Sequence, residues 1–194
     1  DVDKTKIYFG RNENCQAIIH DELYNSSGYA TFSLSMDDKF IGRFTLQVPG
    51  KHNVLNATAA ILSAYVSKLP LDAIKTGIES YTGVGRRFEY KGEVNGIKVY
   101  DDYAHHPTEV AATLSAAKMI KHHVLYTVFQ PHTYTRTKEL LDRFAVSFND
   151  SDVVIISDIY ASRENDPGNI HSKDLVEAIK KSGKDALYIG SLDE

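Results

Sequence analysis

The stretch "DDYAHHPTEV" at residues 101–110 brings together Asp101, Asp102, Tyr103, His105 and His106. Carboxylates, a phenol and imidazoles at such density are the residue types of proton transfer and of binding to small charged substrates. Two further polar clusters follow, Gln130-Pro131-His132-Thr133-Tyr134-Thr135-Arg136 and Asp158-Ile159-Tyr160-Ala161-Ser162-Arg163-Glu164. Each of the three comes directly after a short apolar run. An ordinary connecting loop is served by Gly, Asn and Ser, so charged and ring-bearing side chains at three such places point to a polar-substrate site.

Plainer roles compete residue by residue. Asp101 or Asp102 could cap the helix that follows. Lone loop histidines are usually hydrogen-bonded structural groups, the reading given to His20, His122, His123 and His171. Arg136 opens a predicted helix, where a cation opposes the helix dipole, so it is expected to face an anion. A metal site built from His105, His106 and the two aspartates is disfavoured, because adjacent loop residues diverge and no "HExxH" pairing occurs. No metal is expected to be held by this chain alone. Neither "GxxxxGK[ST]" nor "GxGxxG" is present, so the usual backbone cradle for phosphates is missing from these residues.

The elements that must position these clusters are legible in the periodicity. Up to residue 48 short alternating runs ("KIYFG", "QAIIH", "YATFSLSM", "FIGRFTLQV") separated by "NSSG" and "MDDK" predict a small antiparallel sheet. Val54, Thr58, Ile61 and Leu62 then recur at helical spacing, Pro70 ends that run, and a second helix is expected over 71–80. "YTGVGRRFEY" is a glycine-punctuated connector and the domain boundary falls near residue 85. "FEYKGEV" and "IKVYD" are joined by the Asn95-Gly96 hairpin signal.

From residue 97 strands and helices alternate: "IKVYD", a helix over 107–121, "HVLYTVF", a helix over 134–148, "DVVIISD", a helix over 172–182, then "ALYIG". The fold class expected is α/β. A C-terminal Rossmann-like parallel sheet covered by helices on both faces follows a strand-rich and helical first part. Ligands bind such sheets outside the carboxyl ends of the strands, where all three clusters fall.

Composition narrows the partners. The chain has 194 residues, 42% of them hydrophobic, which suffices for a real core, and a net charge of −4 that offers no basic field for nucleic acid. One cysteine, Cys15, rules out an internal disulfide and fits a cytoplasmic setting. No apolar run is long enough to span a bilayer, so no membrane insertion is expected.

Taken in order, "VPGKHNVLNATAAI", "GVGRRFEY", "VYDDYAHHPTEV", "FQPHTYTRTKELLDRF" and "DIYASREN" resemble the Mur ligases. The "FQPHTYTRT" and "YASRE" pieces are similar to the branch of the family that adds L-alanine. By the resemblance, residues 1–85 correspond to the end of the central ATPase domain. Residues 86–194 correspond to the C-terminal Rossmann-like domain, truncated at its end. Asp1 in place of Met and a strand already under way in "KTKIYFG" agree with an excised piece, expected to be inactive alone. The resemblance implies an ATP-dependent ligase joining L-alanine to UDP-N-acetylmuramate through an acyl phosphate, in peptidoglycan precursor synthesis. Mg2+ ligands are expected in a part of the central domain outside this sequence.

The roles implied by the resemblance are specific. His52, Asn53 and Asn56 would read adenine, Arg87 would contact the ATP phosphates with Arg86 as its rival, and Asp102 would hold the ribose or a neighbouring cation. Tyr103, His105, His132 and Arg136 would surround the amino acid, Arg136 pairing its carboxylate, with His105 as candidate general base. A basic residue is expected at position 133, where this sequence has Thr. The competing expectations are a sister ligase that adds another amino acid or a recycled peptide, and a non-catalytic binding module.

Overall fold

Strict alternation shapes the first part of the chain, because a strand lying on a core buries every second side chain. The computed structural model describes residues 6–191 and divides into two compact units, residues 1–84 and 85–194. In the first unit β1 (Phe9–Gly10), β2 (Ala17–Tyr24), β3 (Tyr29–Met36) and β4 (Lys39–Pro49) form one sheet in that order. The β1–β2 pair is parallel, which corrects the expectation of a wholly antiparallel sheet, and the others are antiparallel. Ala17 and Ile19, Ala30, Phe32 and Leu34, then Ile41, Phe44 and Leu46 are buried. Register shifts between His20 and Leu23 and between Leu34 and Ser35 absorb the breaks in alternation.

Onto this sheet packs α1 (Lys51–Val66), burying Val54, Thr58, Ile61 and Leu62, a stripe of i, i+4, i+7 and i+8. The helix ends ahead of Pro70, which begins the turn into α2 (Leu71–Ser80), anchored by buried Ile74.

The second unit opens with the hairpin of β5 (Glu89–Val94) and β6 (Ile97–Asp101). Its turn residues Asn95 and Gly96 have φ of 52° and 81°, the left-handed pair that a two-residue hairpin requires. Then come α3 (Pro107–Lys118), β7 (Tyr126–Phe129), α4 (Tyr134–Glu139), α5 (Leu141–Ser147), β8 (Val153–Ser157), α6 (Ser172–Lys181) and β9 (Asp185–Gly190). Strands β7, β8 and β9 form a parallel sheet in chain order, joined by helical crossovers. One face of it carries Phe129, Val154, Ile156 and Ala186 into a core with Phe144, Phe148, Leu175 and Ile179.

In the second unit three expectations are corrected. Among the described residues β6 pairs with β5 and not with the parallel sheet. A cleft of about 180 Å³ lies between the hairpin, α3 and β7, lined by Phe88, Tyr100, Leu114 and Phe129 among others. Second, among the described residues the parallel sheet is not covered on both faces: Tyr126, Val128, Leu187 and Ile189 on the other side are 47–62% exposed. Third, the helix predicted over 134–148 is two short helices, broken at Leu140, whose φ of −110° and ψ of 17° lie outside the α region.

Candidate active site

The loop after β6 is held by its own carboxylates. Asp102 accepts the amides of Phe88 (2.8 Å) and Ala104 (2.7 Å), one on each oxygen. Neither Asp101 nor Asp102 caps α3, contrary to the plainer expectation for them. His106 does, its Nδ1 accepting the Thr108 amide at 3.3 Å. Glu109 completes a capping box by accepting the amides of His105 (3.0 Å) and His106 (3.2 Å) on one oxygen. Those bonds, chiefly the one from His105, with the nearby Arg87 guanidinium adding to them, hold the Glu109 carboxyl below the ordinary glutamate range.

His105 is oriented by this frame. Its Nδ1 lies 2.8 Å from the Tyr103 carbonyl. A carbonyl only accepts, so the contact assigns the proton to Nδ1 and leaves the Nε2 lone pair as the base of a neutral ring. His132 has the opposite arrangement. Its Nδ1 sits 3.3 Å from Arg136 Nη1, which only donates, so the ring proton of neutral His132 belongs on Nε2. The rings form a row: Tyr103 to His105 at 5.2 Å, His105 to His132 at 6.1 Å, His132 to Tyr160 at 5.4 Å between centroids. One imidazole that accepts at Nε2 stands beside one that donates there.

Arg136 also reaches the His132 carbonyl at 3.4 Å. Among the described residues no carboxylate pairs with it in the ion pairs found. A partly buried cation without an anion is a receptive place for a substrate carboxylate. The helix dipole does not decide this: α4 is so short that Arg136, at its third position, lies in the first and the last turn at once. The missing ion pair therefore carries the case for an anion.

The two arginines before β5 differ in what holds them. Arg86 is fixed by Asp101 (3.4 Å) and by the Tyr103 ring, whose centroid is 4.6 Å from its guanidinium carbon. Arg87 is loosely held, 3.8 Å from Glu109, with its side chain half exposed. In the first unit Asn53 donates to the Pro49 carbonyl at 2.7 Å and accepts from the Asn56 amide at 3.1 Å, so the two side chains are linked on one face of α1. Gly50 occupies the capping position of that helix, and Asn53 does not cap it. His52 is exposed beside them.

Glu164 accepts the Thr135 amide, a contact between positions 29 apart that leaves no local signal in the sequence. Among the described residues no group of three or more His, Cys, Asp or Glu side chains comes together to hold a metal ion. Nor is any helix among them long and apolar enough to cross a membrane.

Comparison with known proteins gives this geometry a context. Residues 86–194 match the model of the family described as Mur ligase, glutamate ligase domain. The chain is 50% identical over 190 residues to a UDP-N-acetylmuramate–L-alanine ligase of Acetivibrio thermocellus, covering 97% of this chain and 40% of that protein. It is 47% identical over 192 residues to the enzyme of the same name from Caldanaerobacter subterraneus, covering 99% and 42%. A solved UDP-N-acetylmuramate–alanine ligase of Thermotoga maritima superposes with a TM-score of 0.77 at 27% identity, over 96% of this chain and 40% of that one. A murein peptide ligase of Psychrobacter arcticus superposes at 0.61 with 25% identity, over 96% and 38%. The chain spans about two fifths of the length of the curated relatives it matches. With the family's domain covering more than half of its residues, the chain belongs to the Mur ligases.

Proposed function

We propose that this chain is part of an ATP-dependent ligase that joins L-alanine to UDP-N-acetylmuramate, in the cytoplasmic synthesis of a peptidoglycan precursor. The observation that carries the reading is Arg136, a partly buried cation with no ion pair among the described residues, beside His132 and the Tyr103–His105 pair. The names of the relatives at 47–50% identity supply the substrates.

In this reading ATP first phosphorylates the muramoyl carboxylate, and the amine of alanine then attacks the acyl phosphate and expels phosphate. Arg136 takes the alanine carboxylate by charge-assisted hydrogen bonds. His105 Nε2 receives a proton from the amine as the C–N bond forms, its ring oriented by Tyr103. The Nε2–H of His132 and the Tyr103 ring complete the amino-acid pocket. Asp102 spends one lone pair of each oxygen on its own loop and offers the remainder to a ribose hydroxyl. Arg87, loosely paired, is free to turn to phosphate oxygens. His52, Asn53 and Asn56 are assigned to adenine, whose paired donor and acceptor edge an asparagine amide matches.

The test is a chimera in which this chain replaces the matching stretch of the Acetivibrio thermocellus enzyme. ADP release is followed with UDP-N-acetylmuramate, Mg2+ and ATP, across L-alanine, glycine, L-serine, D-alanine and a tripeptide, beside an Arg136→Ala variant. Turnover with L-alanine, lost in the variant mainly through a raised KM, supports the reading. Turnover with the tripeptide alone would transfer the assignment to a peptide-adding relative, and no turnover from a folded chimera would leave a binding module.

A further inference from the structure

The segment that presents His132 and Arg136 does not hold its own shape. Thr133 has φ 70° and ψ 141°, a left-handed conformation that a β-branched residue adopts only when its surroundings impose it. The Thr133 side chain caps α4 weakly, its Oγ1 at 3.4 Å from the Arg136 amide. Two ties from the loop after β8 supply the constraint. Tyr160 donates its amide to the Pro131 carbonyl (2.8 Å) and accepts the Thr133 amide (2.9 Å), a parallel bridge that continues the sheet past the ends of β7 and β8.

The second tie is a side chain. Glu164 Oε2 accepts the Thr135 amide at 2.9 Å, so a carboxylate from another loop sits at the opening of α4. Its own loop is closed by the Glu164 amide on the Ala161 carbonyl at 3.0 Å, with Ser162 at φ 58°. The hydrogen bond from Thr135, with lesser contributions from Tyr134 and Thr133, holds the Glu164 carboxyl below the ordinary glutamate range.

We propose that Glu164 is a positioning residue of the amino-acid site: by clamping the start of α4 it fixes the strained Thr133 turn, and through it the placement of Arg136 and His132 for a substrate carboxylate. The inference rests on the ligase reading above and adds a residue to it. Glu164 touches neither substrate nor reacting atoms in this scheme. Its effect is on how well the anion-binding groups are pre-set.

The experiment compares parent, Glu164→Ala and Glu164→Gln. In the chimera, the alanine variant is expected to raise the KM for L-alanine about tenfold or more, with kcat and the KM for UDP-N-acetylmuramate within about threefold, the pattern of lost ground-state positioning. Glutamine keeps an oxygen that can accept the Thr135 amide, so Glu164→Gln is expected to recover most of the loss. Hydrogen exchange on this chain is the second readout: the Thr135 and Arg136 amides should exchange faster in Glu164→Ala, while amides of β8 and α6 stay protected. An unchanged alanine KM overturns the proposal, as does a general loss of protection across the second unit, which would make Glu164 merely structural. If the folded parent chimera turns over no alanine, the ligase reading fails. In that case unchanged Thr135 exchange also overturns the clamp, and faster exchange there sustains it.

Discussion

Replacing Glu109 by alanine removes the group that fixes the entrance to α3 and the backbone of His105. One carboxylate oxygen accepts two main-chain amides and the other lies 3.8 Å from Arg87. Loss of a helix-start acceptor costs about 0.5–2 kcal/mol, and a negative charge at a helix N-terminus contributes about 0.3–1 kcal/mol. The side chain is 36% exposed, so water replaces part of what is lost and screening trims the charge contribution. Glu109→Ala should therefore cost about 1–2 kcal/mol, and Glu109→Gln, which keeps an acceptor without the charge, about 0.5 kcal/mol.

The pH dependence gives an independent check. The folded Glu109 carboxyl titrates below its ordinary value, so its contribution is complete above the unfolded pKa of about 4.3 and is lost as pH falls through the folded pKa. The parent and Glu109→Gln should thus differ by a constant amount from neutral pH down to about 5 and converge in acid, as pH falls through the depressed folded pKa. The chain has no tryptophan, so urea unfolding is best followed by circular dichroism, with a common m-value checked first. An alanine variant within about 0.3 kcal/mol of the parent would refute the reasoning, as would a parent–glutamine difference that persists undiminished in acid.

Two further outcomes are expected. Phe148→Ala empties a fully buried position beside Phe129, whose ring centroid is 5.3 Å away, and should cost about 3–5 kcal/mol in the same urea assay. His105→Gln in the chimera keeps a hydrogen-bonding side chain but no titratable base. Turnover should fall by about 10²–10⁴ with a smaller change in alanine KM, and a drop below tenfold would remove His105 from proton transfer.

Local signals carried much of the fold. Asn95-Gly96 announced its hairpin because only residues tolerant of positive φ fit that turn, and Val54, Thr58, Ile61 and Leu62 announced α1 because burial follows helical period. Neighbour choice is less local: Asn95-Gly96 gives β6 its hairpin partner β5, but the alternation of "IKVYD" does not say whether the strand also joins the parallel sheet, which among the described residues it does not. Likewise the helical pattern over 134–148 is continuous in sequence, and the break at Leu140 leaves no Gly or Pro as a sign. At the site, residue types at strand ends marked Tyr103, His105, His132 and Arg136 as candidates. Their tautomers and ties were out of reach because the deciding partners are a carbonyl, a guanidinium and a distant carboxylate. His106 caps α3 without a sequence signal, because the imidazole is not among the side chains that favour that position.

The uncovered side of the parallel sheet has a consequence for temperature. Tyr126, Val128, Leu187 and Ile189 are exposed apolar side chains on that side, and β7 and β9 are both edge strands among the described strands. Association that hides such side chains is driven by the release of ordered water, a force that weakens on cooling. Self-association of this chain should therefore grow on gentle warming, well short of unfolding, and reverse on ice.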